Sequence, residues 1–305
     1  MPWFPYPTKR NAVRKRTLHR QYRRQAMMHV QAVPTRQQKV PQPSKGPRLS
    51  VYNYNAGCLD YHSFMAWTER PEVKHDIIIV TETRRSFEAE WLTNSYVCVH
   101  SDGPYAGLLV MIRRTFAEAH QVSWGIQVPG RLVHVKLHLA MPVHIVAAYQ
   151  HAWKSDKKAE TLRKRAKWLQ MLSKTLRASP IGDITVCAGD FNADLPHWPG
   201  YVQCAVGQGQ RGSGALRADS DDLLQILRQH DLVALNTHTG WVPTFEGLQT
   251  SGVRTATRID FICLSRRHAD ARSRQALTET RAPHDSHREG TYHRPVVASI
   301  PGTPR

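Results

Sequence analysis

The sequence predicts an α/β protein in which two β-sheets pack face to face and helices cover their outer surfaces. Two observations carry this expectation. About ten short, β-branched apolar runs recur along the chain, each bounded by turn residues, while only three or four segments have helical periodicity. The 305 residues are 41% hydrophobic, enough for a sizeable core.

In chain order, the expected strands are 49–55, 76–82, 96–100, 107–112, 131–137, 143–149, 184–190, 232–236, 258–264 and 295–300. Expected helices cover 61–70, 155–178 and 220–230. The longest places Leu162, Ala166, Leu169, Leu172 and Leu176 on one stripe and stops at Pro180. Lys158, Lys164, Arg165 and Lys167 fall largely off that stripe, on what reads as a solvated face. In the third helix Leu223, Ile226 and Leu227 are the expected buried residues. No internal repeat is found. Residues 49–300 read as one domain, with 301–305 a short C-terminal tail.

The net charge of +18 is unevenly spread. Twelve Lys and Arg and no acid lie within 1–48, and the first carboxylate is Asp60. A segment this basic and poor in apolar residues is expected to be a disordered tail that meets a polyanion or an import receptor. An intracellular, nuclear protein is the matching expectation, with a mitochondrial transit peptide the weaker alternative because serine is absent before Ser44. The five cysteines, Cys58, Cys98, Cys187, Cys204 and Cys263, show no C-x-x-C spacing and argue for a reducing compartment. No run of about 18 apolar residues is present, so no membrane partner is expected.

Polar residues cluster where the apolar runs end, which is where a scaffold presents functional groups. Asn55 closes the first run and Glu82 the second, in "IIIVTETR". Asp190 and Asn192 follow "ITVCAG", Asp260 interrupts "RIDFICL", and His293 opens "HRPVV". A carboxylate next to buried strand residues is costly unless it is paired or holds a metal.

"GDFNAD", "RIDFICLS" and "HRPVV", with looser matches in "TETR" and "NYNAGCL", resemble the motifs of the endonuclease/exonuclease/phosphatase superfamily, over about residues 49–300. The stretch "DLLQILRQHDLVALNTHTGWVPTFEG" is similar to the endonuclease domain of non-LTR retrotransposons. The resemblance implies a four-layered αββα sandwich and an Mg²⁺-dependent phosphodiesterase, with Mn²⁺ as the alternative ion. It implies a monomer acting on DNA, with RNA the second choice. By the same resemblance Glu82 and Asn55 hold the metal, Asp190 activates water, and Asn192 orients Asp190 and the phosphate. His293 donates to the phosphate, Asp260 orients His293, and Tyr149 reaches the scissile group. Arg258 is a competing, purely structural partner for Asp260.

The chain departs from the family pattern in three places, one of them Gly57, where AP endonucleases carry an Asp shortly after the first-motif Asn but the retrotransposon relatives often do not. The last motif ordinarily reads Ser-Asp-His, and here it is Thr291-Tyr292-His293. A phenol cannot replace a carboxylate at neutral pH; Asp285 is the nearest candidate substitute. Ala152 stands where the family has an asparagine, leaving Gln150 or His151 to supply a donor. The main expectation is therefore a DNA-nicking endonuclease of retrotransposon type. A nucleic-acid-binding protein with a weakened site and a phosphatase or deadenylase are the alternatives. His284, His287 and His293 have a zinc-like look, but no Cys or Glu stands at zinc-like spacing. Trp153, Trp198 and Trp241 are candidates for stacking on bases or for core packing.

Overall fold

The computed structural model describes residues 40, 42, 46–57, 60–103, 105–118, 120–154, 156–203, 219–248, 254–280 and 291–302. Most of the basic segment 1–48, together with Cys58, Cys204, His284, Asp285 and His287, lies outside them.

The elements run β1 (Arg48–Asn55), α1 (Tyr61–Thr68), β2 (Ile77–Thr81), β3 (Ala89–Leu92), β4 (Tyr96–Ser101), β5 (Leu108–Arg113) and α2 (Arg114–Ala117). There follow β6 (Val122–Val128), β7 (Leu132–Leu137), β8 (Val143–Tyr149), α3 (Lys158–Arg177), β9 (Ile184–Asp190) and α4 (Ser220–Gln229). The chain continues through β10 (Leu232–Ala234), β11 (Phe245–Leu248), β12 (Arg254–Thr257) and β13 (Asp260–Ser265). It ends with β14 (Leu277–Thr278), β15 (Thr291–His293) and β16 (Val296–Pro301).

Two mixed sheets dominate. The first has the order β14-β16-β1-β2-β5-β4-β3 and the second β10-β13-β9-β8-β7-β6. Alternation along the strands divides the side chains between two faces. Val51, Ile77, Ile79, Val110, Val133, Val135, Ile145, Val186 and Ile262 meet between the sheets. On the outer face of the first sheet Tyr52, Tyr54, Ile78 and Val80 pack on Phe64 and Trp67 of α1. On the outer face of the second, Leu132, Val146 and Cys187 pack on Trp168 and Leu172 of α3 and Leu223 and Leu227 of α4. The layers are therefore αββα, as the resemblance implies. A three-stranded sheet, β12-β11-β15, stands apart from both.

The ten expected strands all appear, 143–149 and 184–190 with the expected bounds and the others with shifted ends. The first begins one residue early, because Arg48 pairs with Pro301 and its side chain holds buried Asp270 at 2.7 Å. The run expected at 258–264 begins at Asp260, so that residue heads its strand rather than interrupting it. Strands β3, β11, β12, β14 and β15 carry too little apolar alternation to be read from sequence, whereas β6 alternates through Val122, Trp124, Ile126 and Val128 and is a strand the sequence reading lacks.

The long helix corrects the expected face. Thr161, Arg165, Trp168, Leu169, Leu172, Thr175 and Leu176 are buried, whereas Ala166 is exposed. Lys158, Lys164 and Lys167 are solvated as expected, but Arg165 is not: a buried carboxylate, Asp219, pairs with it at 2.6 Å. In α4 the buried leucines are Leu223, Leu224 and Leu227, with Ile226 only partly covered. Cys98, Cys187 and Cys263 are free thiols in the interior. Among the described residues no helix is long and apolar enough to cross a membrane.

Candidate active site

The site forms where strands of both sheets end side by side. Strand β8 runs parallel to β9 and brings Tyr149 opposite Asp190. Strand β13 runs antiparallel to β9 and brings Asp260 opposite the same residue. From the other sheet, Asn53 donates to the Gly189 carbonyl at 3.2 Å and Asn55 donates from Nδ2 to Asp190 Oδ2 at 2.8 Å. Gly189 is required there. A Cβ at that position would lie 1.7 Å from the Ala148 carbonyl oxygen, so only glycine lets β9 approach β8 as it does.

Asp190 is almost fully buried and is the hub. Asn192 donates to it twice, from its backbone N to Oδ1 at 2.7 Å and from Nδ2 to Oδ2 at 3.1 Å. The Asn192 amide also donates to the Gln150 carbonyl at 3.0 Å. Burial pushes the Asp190 carboxyl above its ordinary range and the Asp260 charge adds to that. His293 and the amides of Asn192 and Asn55 pull it partly back. A carboxylate raised in this way can take a proton near neutral pH.

His293 sits on β15, paired through Phe245 of β11, and its Nδ1 lies 3.0 Å from Asp260 Oδ2. Burial alone lowers the imidazole pKa, but Asp260, then Asp190 and Glu82, outweigh it and raise the value to about 9. The ring is thus cationic at neutral pH, with Asp260 fixing its orientation. Asp260 is held in turn by Thr244, whose Oγ1 accepts from the backbone N of Ile259 and of Asp260, both at 3.0 Å. Arg258 donates to the carbonyls of Gly240 and Val242.

Glu82 follows β2 at φ 56°, a left-handed position rare for a non-glycine residue. The clamp is local: Thr83 Oγ1 lies 2.8 Å from buried His100, and a Cβ on Gly107 would lie 2.1 Å from the same oxygen. The carboxylate pairs with Arg84, and its charge bears on the Tyr149 phenol. Burial and the charges of Glu82 and Asp190 push the Tyr149 pKa far above its ordinary range, so it is a neutral donor.

All seven residues expected at the site are therefore brought together: Asn55, Glu82, Tyr149, Asp190, Asn192, Asp260 and His293. Two residues were missed. Arg131 stacks its guanidinium 4.8 Å from the centre of the Tyr149 ring and faces Glu82 and Asp190 electrostatically. Its signal was a lone cation at the head of a strand in "PGRLVHV", the same placement that marked the others. Thr244, the second, shows in sequence only as one of many threonines. Gln150 is buried beside Asn192, whereas Ala152 is exposed. Tyr292 pairs by backbone with Glu246, a carboxylate residue that pairs with Arg294. Trp198 is half-buried under Arg228, 3.9 Å from its ring centre, and Trp241 is exposed.

The donor set suits a hard divalent ion. Glu82, Asn55 and Asp190 offer oxygen, and Asp260 Oδ1 is buried without a hydrogen-bond partner among the described residues. Asp190, Asp260 and His293 also have potential ligand atoms within 4.8 Å of one another. The Nδ1 of His293 is engaged with Asp260.

Residues 52–281 match the endonuclease/exonuclease/phosphatase family, and the chain belongs to it. Its fold is similar to that of an AP endonuclease from Leishmania major (TM-score 0.61, 13% identity, 84% of this chain and 88% of that one). It is also similar to an AP endonuclease from Archaeoglobus fulgidus (0.59, 17%, 82% and 98%). A third similar structure is the endonuclease domain of TRAS1, a telomere-specific non-LTR retrotransposon (0.54, 18%, 83% and 98%). No curated protein matches the chain.

Proposed function

We propose that the protein is a divalent-metal-dependent phosphodiesterase that nicks DNA, of the retrotransposon endonuclease type. The observation that carries this reading is the pair of strand ends joining Asp190, with its two amide donors, to the Asp260–His293 pair. Asp190 removes a proton from the attacking water, Asn55 and Asn192 orient it, and the new bond forms between that oxygen and phosphorus. The bond to the leaving sugar oxygen breaks. His293, cationic and oriented by Asp260, donates to a non-bridging oxygen, and Tyr149 and Arg131 face the same centre. Glu82 and Asn55 would hold Mg²⁺ or Mn²⁺, which would neutralise charge on the phosphate and leaving oxygen. The retrotransposon type is supported by the stretch from Asp222 through Gly247 in sequence and by the likeness in fold to the TRAS1 domain.

A supercoiled-plasmid assay tests this. Nicking with Mg²⁺ that stops with chelator and in Asp190→Ala is the expected result. Absence of nicking by the unaltered protein, with DNA binding intact, would replace this reading with a binding protein. Thr291-Tyr292-His293, lacking the family's acid, is the observation that favours that second reading.

A further inference from the structure

Helix α3 puts an arginine where its packing stripe calls for an apolar residue. The Arg165 side chain is 1% exposed, and all three guanidinium nitrogens are committed. Nε and Nη2 donate to Asp219 Oδ2 and Oδ1 at 2.6 and 2.9 Å. Nη2 also donates to the carbonyl of Asn192 at 3.1 Å, and Nη1 donates to the carbonyl of His151. A buried ion pair is a weak source of stability compared with apolar residues of the same volume, so stability is a poor explanation for this one.

The two carbonyls belong to the segments that directly follow β8 and β9, whose last residues are Tyr149 and Asp190. Asn192 stands at φ 45°, a conformation that persists in a non-glycine residue only where its surroundings hold it. Its amide spans Asp190 and the Gln150 carbonyl, so a rotation of the residue 192 backbone would move both hydrogen bonds. The side chain of Asn192 is thus held from the site, and its carbonyl from behind by Arg165.

We propose that Arg165 is a positioning residue: its planar fork fixes the Asn192 and His151 carbonyls together and thereby aims the Asn192 amide at Asp190. The catalytic consequence rests on the nuclease reading given above, while the orientation of Asn192 does not. Asp219 is the counter-charge that orients the fork. A lysine at 165 keeps the charge but offers a single nitrogen, which cannot reproduce the planar set of contacts.

The test uses the full chain and two variants, Arg165→Lys and the double variant Arg165→Met with Asp219→Leu. The double variant removes both charges, so no uncompensated charge is left in the interior. The first readout is hydrogen exchange of the Asn192 side-chain amide, its resonances assigned by their loss in Asn192→Asp. Exchange at that amide should quicken by roughly tenfold or more, the mark of a hydrogen bond that opens locally, while core strand amides keep their protection. The second readout is kcat and KM for plasmid nicking. Misplacement of Asn192 should lower kcat by about 100-fold with KM little changed. In an Asn192→Ala background the same change at 165 and 219 should cost almost nothing, because the two act as one unit.

Unchanged exchange at Asn192 overturns the proposal, as does acceleration spread through the whole core. An equal kcat loss in both backgrounds also overturns it. Absence of nicking by the unaltered protein overturns the functional reading instead, and the exchange measurement then decides the role of Arg165 alone.

Discussion

Asp260 and Asp190 face each other across the β13–β9 ladder, two buried carboxylates at paired strand ends. Such a pair is costly with both acids ionised, and His293, 3.0 Å from Asp260, stands where it offsets that charge. The ladder sets the spacing of the acids, and the histidine arrives from the small third sheet. The charge of the candidate site and its local stability are therefore tied to the same three side chains.

Replacing Asp260 by Asn should release His293 from the charge that holds its pKa up at about 9 against the effect of burial. The ring would then lose its proton in the neutral range. We expect nicking at pH 8 to fall by about 100-fold, the size seen when one preorganised donor to a developing oxyanion is lost. NMR titration of the His293 ring checks the cause. A ring that still titrates near its original value would contradict it.

Tyr292→Asp supplies the acid that the family pattern has beside the histidine. The expected result is a rise of roughly tenfold in the nicking rate, equivalent to about 1.4 kcal/mol of barrier. Equal rates in the two proteins would mean that the site works without this carboxylate.

Deleting residues 1–45 removes eleven Lys and Arg while keeping Arg48. The dependence of DNA affinity on salt should become shallower, since fewer counterions are released on binding. An unchanged slope in a fluorescence-anisotropy titration would argue against DNA contact by this segment. Truncating through Arg48 is a different experiment. That residue holds Asp270 at 2.7 Å and Ser273 at 2.8 Å in the interior, and stripping a buried partner costs about 3–5 kcal/mol.

The protein should also be acid-labile for a reason remote from the site. His134 Nε2 lies 2.9 Å from His144 Nδ1 in a stacked pair, and His144 Nε2 lies 2.9 Å from Asp183. Burial of His134 at the head of this chain disfavours its charged form. Burial, then the nearby His144 and Lys136, lower its pKa from 6.5 to about 4. The unfolded chain therefore binds the proton more readily, and this contribution to stability is complete above pH 6.5 and lost as pH falls towards 4. Urea midpoints measured from pH 7 to 4 should fall less steeply in His134→Gln. Parallel curves for the two proteins would refute the assignment.

Much of the site was legible because its signals are local. An amide or acid immediately after an apolar run is visible without knowing what the strand pairs with, as at Asn55, Glu82 and Asp190, and so is a polar residue that opens such a run, as at His293. Arg165 was misread for the complementary reason. A basic residue on a helix is solvated unless a distant acid is waiting, and Asp219 lies far along the chain. Arg131 has the same kind of local placement, at the head of a strand, but a lone cation there is in sequence no different from a solvated strand end.

The sequence by itself determined the two-sheet layering, the order of the main strands and the residues that stand at their ends. These follow from the period of the apolar pattern and from the cost of leaving polar groups in a strand interior. Only the tertiary structure decided that seven of those residues share one centre and that Asp260 heads its strand opposite Asp190. It alone gave the 3.0 Å contact between His293 and Asp260 and buried Arg165 behind Asn192. The reason is physical: strand pairing and helix packing join residues more than a hundred positions apart, and the charge that each side chain carries depends on what those pairings place beside it.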